Sequence, residues 1–305
     1  MRQIAELTER SPNTISDELR RNRVKGVYDA RNAHHKAYVR RKYAKYQGMK
    51  IVQHDALRNE VVSRLYDDQS PEAIAGYTHR TNPFPSISKN AIYRFVASVY
   101  GRRIEAYRMG KRTRRGRRHA KKTTLANRVF IEKRPQRINE RKGMGHAEAD
   151  FIVSGKSGKG ILLVVVDRNA RTTFLERILP VTIPNVHQGF LRIKKRFPEM
   201  KTITTDNDLL FSRHKTLEHL LGVKMYFCRP YHSWEKGTVE NTNKVIRRDI
   251  PKSSDISQYS KHFIERLEAK LNRRPMKCLG YWTPQEMINA YRKRRNKKTP
   301  SREVS

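Results

Sequence analysis

Three acidic side chains stand where this sequence could bind a hard divalent cation. Asp150 falls within the first of a series of β-rich runs, Asp206 directly follows the fourth, and Glu240 lies on a predicted helix. Proteins hold Mg²⁺ with a few carboxylates, waters and substrate phosphates, so two Asp and one Glu are sufficient ligands. The residues alone do not choose among nearby rivals, because an Asp at a strand end is most often a turn former. The rival carboxylates are Glu148, Asp167, Asp208 and Glu235.

Alternating elements in the C-terminal half must position these carboxylates. Three consecutive β-rich runs separated by turn residues predict an antiparallel meander, and helices alternating with strands follow it. This order predicts an α/β layer with a mixed five-stranded sheet. The predicted strands are 147–153, 161–166, 172–179, 202–205 and 224–228, and the predicted helices are 186–197, 212–221, 238–248 and 258–273.

Short helices dominate the N-terminal part. Ser11-Pro12 separates two short helical patterns, and a Ser cap with Pro at the first helical position is a start signal. The pair matches a helix-turn-helix that begins at its second helix, so we expect a partial module that lacks its buttressing first helix. An ordinary helical hairpin is the alternative. The recognition helix would present Asn13, Thr14, Ser16, Arg20 and Arg21 to DNA.

A second module of three helices is predicted further along the chain. Helical patterns cover 57–65, 71–79 and 90–99, and Ser70 and Ser88 are the expected caps of the last two. Residues 28–46, between the modules, form a basic helix interleaved with aromatic residues that could follow a nucleic-acid backbone. On the third helix of the second module, the residues expected to face DNA are Lys89, Asn90 and Arg94.

The charge of the chain points to a polyanionic partner. Among 305 residues, 67 basic side chains outweigh 29 acidic ones and give a net charge of +38. Nucleic acid explains this better than an anionic membrane surface or a ribosome-like assembly. The basic side chains are densest over 101–143, where 17 oppose 3 acidic ones. This stretch is either a DNA-neutralising linker or a solvated, self-repelling one. Its phosphate-binding candidates are Arg114, Arg115, Arg117 and Arg118.

Composition also sets the expected compartment and the division of the chain. The longest strongly apolar run, 161–166, is too short to cross a bilayer, and Cys228 and Cys278 have no zinc or disulfide-framework spacing. We therefore expect a cytoplasmic protein with no membrane partner. The predicted segments are a partial helix-turn-helix and basic helix at 1–50, a second helical module at 51–100, a basic linker at 101–143, a catalytic core at 144–290 and a basic tail at 291–305.

Four sequence blocks resemble the IS30 family of bacterial insertion-sequence transposases. Residues 145–150, GHAEAD, resemble the family's GHWEGD, and 205–207, TDN, resemble the start of its TDNG. Residues 230–243, PYHSWEKGTVENTN, are close to PYHSWERGTNENTN, and 271–281, LNRRPMKCLGY, are similar to LNNRPRKCLGY. Residues 2–22 also resemble the family's N-terminal module. The likeness therefore extends over nearly the whole chain.

This resemblance implies a ribonuclease-H-like, integrase-type core with the catalytic triad Asp150, Asp206 and Glu240. The 33 residues between Asp206 and Glu240 agree with such cores. The implied chemistry is Mg²⁺-dependent phosphoryl transfer with two ions, for which Mn²⁺ could substitute. The implied partners are double-stranded DNA, as terminal inverted repeats and target, and further copies in a homodimer or larger assembly. The implied location is a prokaryotic, nucleoid-associated one.

Two basic residues and several departures from the family pattern complete the predictions. Lys244 and Arg247 lie at i+4 and i+7 from Glu240 and are expected to bind phosphate, with a solvated basic stripe as the alternative. Two other functions are considered, a catalytically impaired transposase-derived DNA-binding regulator and a ribonuclease acting on RNA·DNA hybrids. The helix-turn-helix modules argue against the ribonuclease. The departures that favour impairment are Ala147, Ala149, Asp208, Leu210 and Val239.

Overall fold

The computed structural model describes residues 1–44, 49–81, 84–110, 127–155, 158–229 and 233–298. The chain opens with helices α1 (Arg2–Leu7), α2 (Pro12–Asn22) and α3 (Ala30–Ala44). The Ser11 hydroxyl accepts the Thr14 N–H at 3.1 Å, which confirms the predicted cap of α2. Few apolar side chains are enclosed here, since Ala5 and Ala33 are the fully buried hydrophobic residues of the described part of this segment.

The second set of helices packs around a hydrophobic cluster of its own. Its members are α4 (Lys50–Gln53), α5 (Asp55–Tyr66), α6 (Pro71–Thr81), α7 (Lys89–Val96) and α8 (Arg102–Gly110). The Ser70 and Ser88 hydroxyls cap α6 and α7 by accepting the N–H groups of Ala73 and Ala91, both at 3.2 Å. The shared cluster consists of Ile51, Leu57, Val61, Leu65, Ile74, Ile87, Ile92, Phe95 and Ile104.

Helix α8 lies at the start of the stretch 101–143, which is predicted from the sequence to be a basic linker. Three of the nine residues of α8 are arginines, and its Ile104 is buried in the cluster of the second module. Tyr107 also packs edge-on against Tyr66, with 5.1 Å between the ring centroids. These apolar contacts hold the first residues of the basic run in a helix.

The C-terminal half contains the predicted meander. After the short helix α9 (Gln136–Asn139), strands β1 (His146–Val153), β2 (Ile161–Asp167) and β3 (Thr173–Ile178) follow in turn. They pair antiparallel, with Asp150 opposite Val164 and Val164 opposite Leu175. Strand β2 is buried along its whole length, as its continuous apolar sequence predicts.

Two further strands complete a mixed sheet. Helix α10 (Ile183–Arg196) precedes β4 (Thr202–Thr205), and helix α11 (His214–Leu221) precedes β5 (Lys224–Phe227). Strand β4 pairs parallel with β1, and β5 pairs parallel with β4. The strand order β3-β2-β1-β4-β5 is that of a ribonuclease-H-like fold, which confirms the predicted fold class.

Helices cover both faces of the sheet, and the alternation of β1 separates the two cores. Ala147 and Ala149 point into a cluster shared with α10 and α11. Ile152 points into the other cluster, which is shared with α12 (Gly237–Ile246) and α13 (Lys261–Asn272). Successive strand residues face opposite sides, so Glu148 and Asp150 lie on the α12 face. The two acidic side chains of β1 therefore lie on the side of the sheet that α12 covers.

The last helix and the second module both contact this core. Helix α14 (Pro284–Lys298) was not anticipated from its basic sequence; its Ile288 is buried in the α10 cluster. Arg80 of α6 donates two hydrogen bonds to the Glu286 carboxylate, at 2.7 and 2.9 Å. Lys270 of α13 forms ion pairs with Asp68 and Asp249. None of the helices in the described ranges combines the length and the hydropathy that a membrane span requires.

Candidate active site

Asp150 lies in the middle of β1 and is held by two side chains from the opposing segment. Its Oδ1 is 3.1 Å from the Lys236 ammonium, and its Oδ2 accepts a 2.8 Å hydrogen bond from Asn243 Nδ2. Burial raises the pKa of Asp150, Lys236 opposes that rise, and the charge of Asp206 adds to it. The carboxylate is thus a partly desolvated acceptor, positioned on both of its oxygens.

Asp206 reaches the same place from the neighbouring strand. In the parallel pairing of β1 with β4, Glu148 lies beside Thr204. Asp150 and Asp206 each follow two residues later in the same direction, so they also lie side by side. Asp206 Oδ2 lies 3.1 Å from the Lys236 ammonium. Its Oδ1 is buried and has no hydrogen-bond partner among the described residues. The two motif aspartates, far apart in sequence, therefore share one cation.

The cation that Asp150 and Asp206 share is the ammonium group of Lys236. This lysine ends the 3₁₀ turn Ser233–Lys236 and immediately precedes α12, and its side chain is only 4% exposed. Burial disfavours the charged ammonium, but the attraction of Asp150 and Asp206 outweighs it and raises the pKa of Lys236. The ammonium is therefore a permanent charge between two carboxylates.

Glu240 is positioned by the attachment of α12 to β1. Glu148 Oε2 accepts the N–H groups of Thr238 and Val239 at 2.9 and 3.0 Å, which fixes the start of α12. Residues three apart share a helix face, so Glu240 lies on the same side of α12 as Asn243, whose amide contacts Asp150. Among the described residues, no three His, Cys, Asp or Glu side chains are grouped to hold one metal ion.

The rival carboxylates each have a structural partner. Asp167 is fully buried and accepts the N–H groups of Gly145, Asn169 and Ala170, as expected of a turn former. Asp208 accepts the Leu210 N–H at the start of a 3₁₀ turn. Glu235 accepts the Arg229 N–H, and Glu148 is paired with Arg168 besides capping α12. These contacts give each of the four rival carboxylates a structural role in a turn, a helix start or an ion pair.

Comparison with known proteins identifies the family. The transposase InsI of insertion sequence IS30A from Escherichia coli is 33% identical over 94% of this chain and 78% of its own length. The transposase of IS4351 from Bacteroides fragilis is 35% identical over 93% of this chain and 88% of its own length. The chain belongs to the IS30 family of transposases. The transposase of IS1086 from Cupriavidus metallidurans is also similar, with 30% identity over 94% of this chain.

No protein-family model matches the chain. Among solved structures, the catalytic core domain of BIV integrase aligns with 50% of this chain and 99% of its own, with 18% identity and a TM-score of 0.39.

The departures of this IS30-family chain from the family motifs lie mostly away from the carboxylates. Ala147 and Ala149 are buried on the face of β1 opposite Asp150. Val239 points into the hydrophobic cluster beneath α12 rather than towards the site. Asp208 has a φ of −69°. Since that angle is accessible to any residue, the glycine of the family is not required for the local backbone.

The predicted DNA-binding residues of the two helical modules are all on the surface. The exposed residues of α2 include Asn13, Thr14, Ser16, Arg20 and Arg21, and Arg20 pairs with Asp17. On α7, Lys89, Asn90 and Arg94 are exposed, while the apolar face of that helix is buried. The predicted linker residues Arg114, Arg115, Arg117 and Arg118 lie outside the described part of the chain.

The two basic residues predicted beside Glu240 differ in their surroundings. Lys244 is exposed in the last turn of α12. Arg247 follows the end of α12, and its guanidinium donates to the carbonyls of Pro251 and Val153 at 3.1 and 3.2 Å. Arg247 therefore ties the end of α12 to the end of β1, while Lys244 is open to a ligand.

Two residues that sequence reasoning did not select belong to the site. Lys236 and Asn243 both contact Asp150, and both lie within the sequence block 230–243. The position of Asn243, three residues after Glu240, was an available signal because it shares the face of α12 that carries Glu240. No comparable periodicity singles out Lys236, which precedes the helix.

Proposed function

We propose that this chain is an active DNA transposase that cuts and joins DNA strands by divalent-metal-dependent phosphoryl transfer. One observation carries the proposal. Asp150, within β1, and Asp206, directly after the adjacent parallel strand β4, each lie 3.1 Å from the same buried ammonium. Two carboxylates that converge on a single positive charge present the kind of oxygen ligands that Mg²⁺ prefers.

The surrounding donor set fits a divalent cation. Asp206 Oδ1 and Asn243 Oδ1 are buried acceptors without a hydrogen-bond partner among the described residues. Unsatisfied buried acceptors are costly, and a cation or its waters would satisfy them. When bound, a pair of Mg²⁺ ions, or Mn²⁺ in their place, supplies charge stabilisation for the attacking and leaving oxygens. Asp150, Asp206 and Glu240 would hold them.

The side chains around the carboxylates hold the reactive groups in position. Asn243 fixes one oxygen of Asp150, and Glu148 fixes the start of α12 and hence the approach of Glu240. Lys244 is exposed on the same helix and is available to a DNA phosphate. Such preorganised groups orient a phosphodiester without forming a covalent bond to the protein.

The helical modules are the proposed recognition elements for the terminal inverted repeats. The exposed polar face of α7 ends in Arg94, and its apolar face is anchored by Ile92 and Phe95. A rigidly seated helix with an exposed polar face suits a DNA groove, while the basic stretch 101–143 would neutralise phosphates. Joining two element ends requires both ends to be held, so we propose a homodimer or larger assembly on DNA.

The test is Mg²⁺-dependent cleavage of a duplex carrying the inverted repeats that flank the gene. Asp150→Asn, Asp206→Asn and Glu240→Gln should each abolish cleavage and leave duplex affinity nearly unchanged, because each removes a ligand charge but little volume. Asp208→Asn is the matched control: it makes the same change two residues from Asp206 and preserves an acceptor for the Leu210 N–H.

Three results would contradict the proposal. Cleavage that survives in Asp150→Asn, or that is lost equally in Asp208→Asn, would show that the catalytic carboxylates are assigned wrongly. A wild-type chain that binds the repeat but never cleaves it would instead support the DNA-binding regulator.

A further inference from the structure

The space between Asp150 and Asp206 is taken by the ammonium of Lys236. Both Nζ–O distances are 3.1 Å, and the lysine side chain is 4% exposed against 20% for Asp150 and 45% for Asp206. Two carboxylates this close repel each other unless a positive charge separates them. The lysine therefore keeps the pair together within the protein itself.

A divalent cation would compete for the same carboxylate oxygens. An ammonium is a compact point charge on a flexible four-carbon stem, so it can withdraw without a rearrangement of the backbone. The contact of Asn243 with the other oxygen of Asp150 does not depend on the lysine. Asp150 would thus stay oriented while the cation between it and Asp206 is exchanged.

We propose that Lys236 is a positioning residue that acts as an internal counter-cation, holding Asp150 and Asp206 together without metal and being displaced when a divalent cation binds. This inference rests on the proposed function, since it assumes that the aspartates are metal ligands. It predicts that the metal-free site stays assembled and that metal affinity is lowered by the resident ammonium. It also predicts that metal binding frees the Lys236 ammonium from the two carboxylates and leaves its positive charge near the reacting phosphate.

Lys236→Met tests the proposal through stability and metal binding rather than activity. In EDTA we expect its Tm to fall by ~5 °C or more, because two carboxylates lose their counter-charge. Saturating Mn²⁺ should restore Tm to the wild-type value. The Kd for Mn²⁺, measured by electron paramagnetic resonance, should fall by ~10-fold or more once the competing charge is gone. Lys236→Arg, which keeps the charge, should resemble the wild type in EDTA.

Lys270→Met is the matched control. Lys270 also bridges two aspartates, Asp68 and Asp249, but it lies at the contact between α13 and the second module. Its replacement should lower Tm with and without Mn²⁺ and should leave the Kd for Mn²⁺ unchanged. A metal-dependent rescue of this variant as well would mean that Mn²⁺ stabilises the chain generally, and would overturn the proposal.

A measurement on the wild-type chain covers the case in which Lys236→Met does not fold. In protein carrying ¹³C at the lysine ε-carbons, the Lys236 signal is assigned by its absence in Lys236→Arg. Saturating Mg²⁺ should shift this signal and leave that of Lys270 in place. A Lys236 signal unchanged by Mg²⁺ would overturn the proposal.

The outcomes separate this inference from the proposed function. Asp150→Asn should abolish Mn²⁺ binding at the site, which establishes where the ion binds. If the wild type shows that binding but Lys236→Met has the same Kd, only the counter-cation role is wrong. If the wild type shows no Mn²⁺ binding that depends on Asp150, the proposed metal centre fails and the inference fails with it.

Discussion

Replacing Glu148 by Gln removes one negative charge from beneath α12 and keeps the size of the side chain. Glu148 is 1% exposed, and its Oε2 accepts both N–H groups at the start of α12. Its Oε1 lies 3.1 Å from Arg168 Nε. Burial first, and the charge of Arg168 second, lower the pKa of the nearby Arg134 to about 10, while the charge of Glu148 opposes both effects. The substitution thus leaves two buried guanidinium groups without their shared counter-charge.

The expected cost follows from these contacts. Hydrogen bonds to a charged acceptor contribute ~1.5–3 kcal/mol against ~0.5–1.5 kcal/mol for neutral pairs, and breaking a buried ion pair costs ~3–5 kcal/mol. The Arg168 Nε contact lacks hydrogen-bond geometry, which places this pair at the weak end of its range. We therefore expect Glu148→Gln to lose about 2–4 kcal/mol, and to remain folded because domains have ~5–15 kcal/mol of stability.

Urea unfolding followed by circular dichroism measures the loss, and amide hydrogen exchange at Thr238 and Val239 localises it. Both amides should exchange faster, and cleavage should fall by ~100-fold because Glu240 is no longer held in place. Glu176→Gln is the control. Glu176 pairs with Arg192 and Arg196, which are both exposed, so its replacement should cost less than ~1 kcal/mol. A loss below 1 kcal/mol in Glu148→Gln, with α12 protection unchanged, would refute this reasoning.

Three further predictions concern pH, the contact between module and core, and DNA reading. Burial first, and neighbouring cations second, lower the pKa of His146 from 6.5 to about 4. The neutral His146 therefore contributes its full stabilisation above pH 6.5, and this contribution is lost as the pH falls towards 4. Urea unfolding should show a decrease of about 2–3 kcal/mol in the free energy of unfolding over this range, and His146→Gln should make the free energy less dependent on pH. A Cβ on Gly76 would lie 2.3 Å from the Tyr281 ring, so Gly76→Ala should loosen the second module from the core and speed limited proteolysis; an unchanged digest would contradict this. Arg94→Ala should reduce the preference for the cognate repeat over a random duplex by ~10-fold, with little change in the salt dependence of binding. An equal loss of affinity for both duplexes would show that Arg94 contacts phosphate instead.

Much of the fold could be predicted from the sequence because the local signals for strands and helix starts agree with the elements that form. The predicted strand 202–205 matches β4, and the Ser-Pro start signals identify helices whose caps the structure contains. Helix α14 could not be predicted in this way. Its sequence is dominated by basic residues with little apolar periodicity, and its place depends on tertiary contacts such as the pairing of Arg292 with Glu199.

The site could be predicted only in part from the residues. Asp150, Asp206 and Glu240 came from motif resemblance, since strand-end carboxylates alone did not exclude Asp167 or Asp208. The capping of α12 by Glu148 depends on the register of β1 against that helix, which no local pattern reveals. The same holds for Lys236, whose bridging contact exists only once β1 and β4 are paired.

An anomalous-difference map from crystals grown with Mn²⁺ would locate the metal itself. We predict a peak bonded to the carboxylates of Asp150 and Asp206, with the Lys236 ammonium moved out of the space between them. Crystals of a chain that cleaves its repeat, but that show no peak at these carboxylates, would contradict the assignment of this site as the catalytic centre.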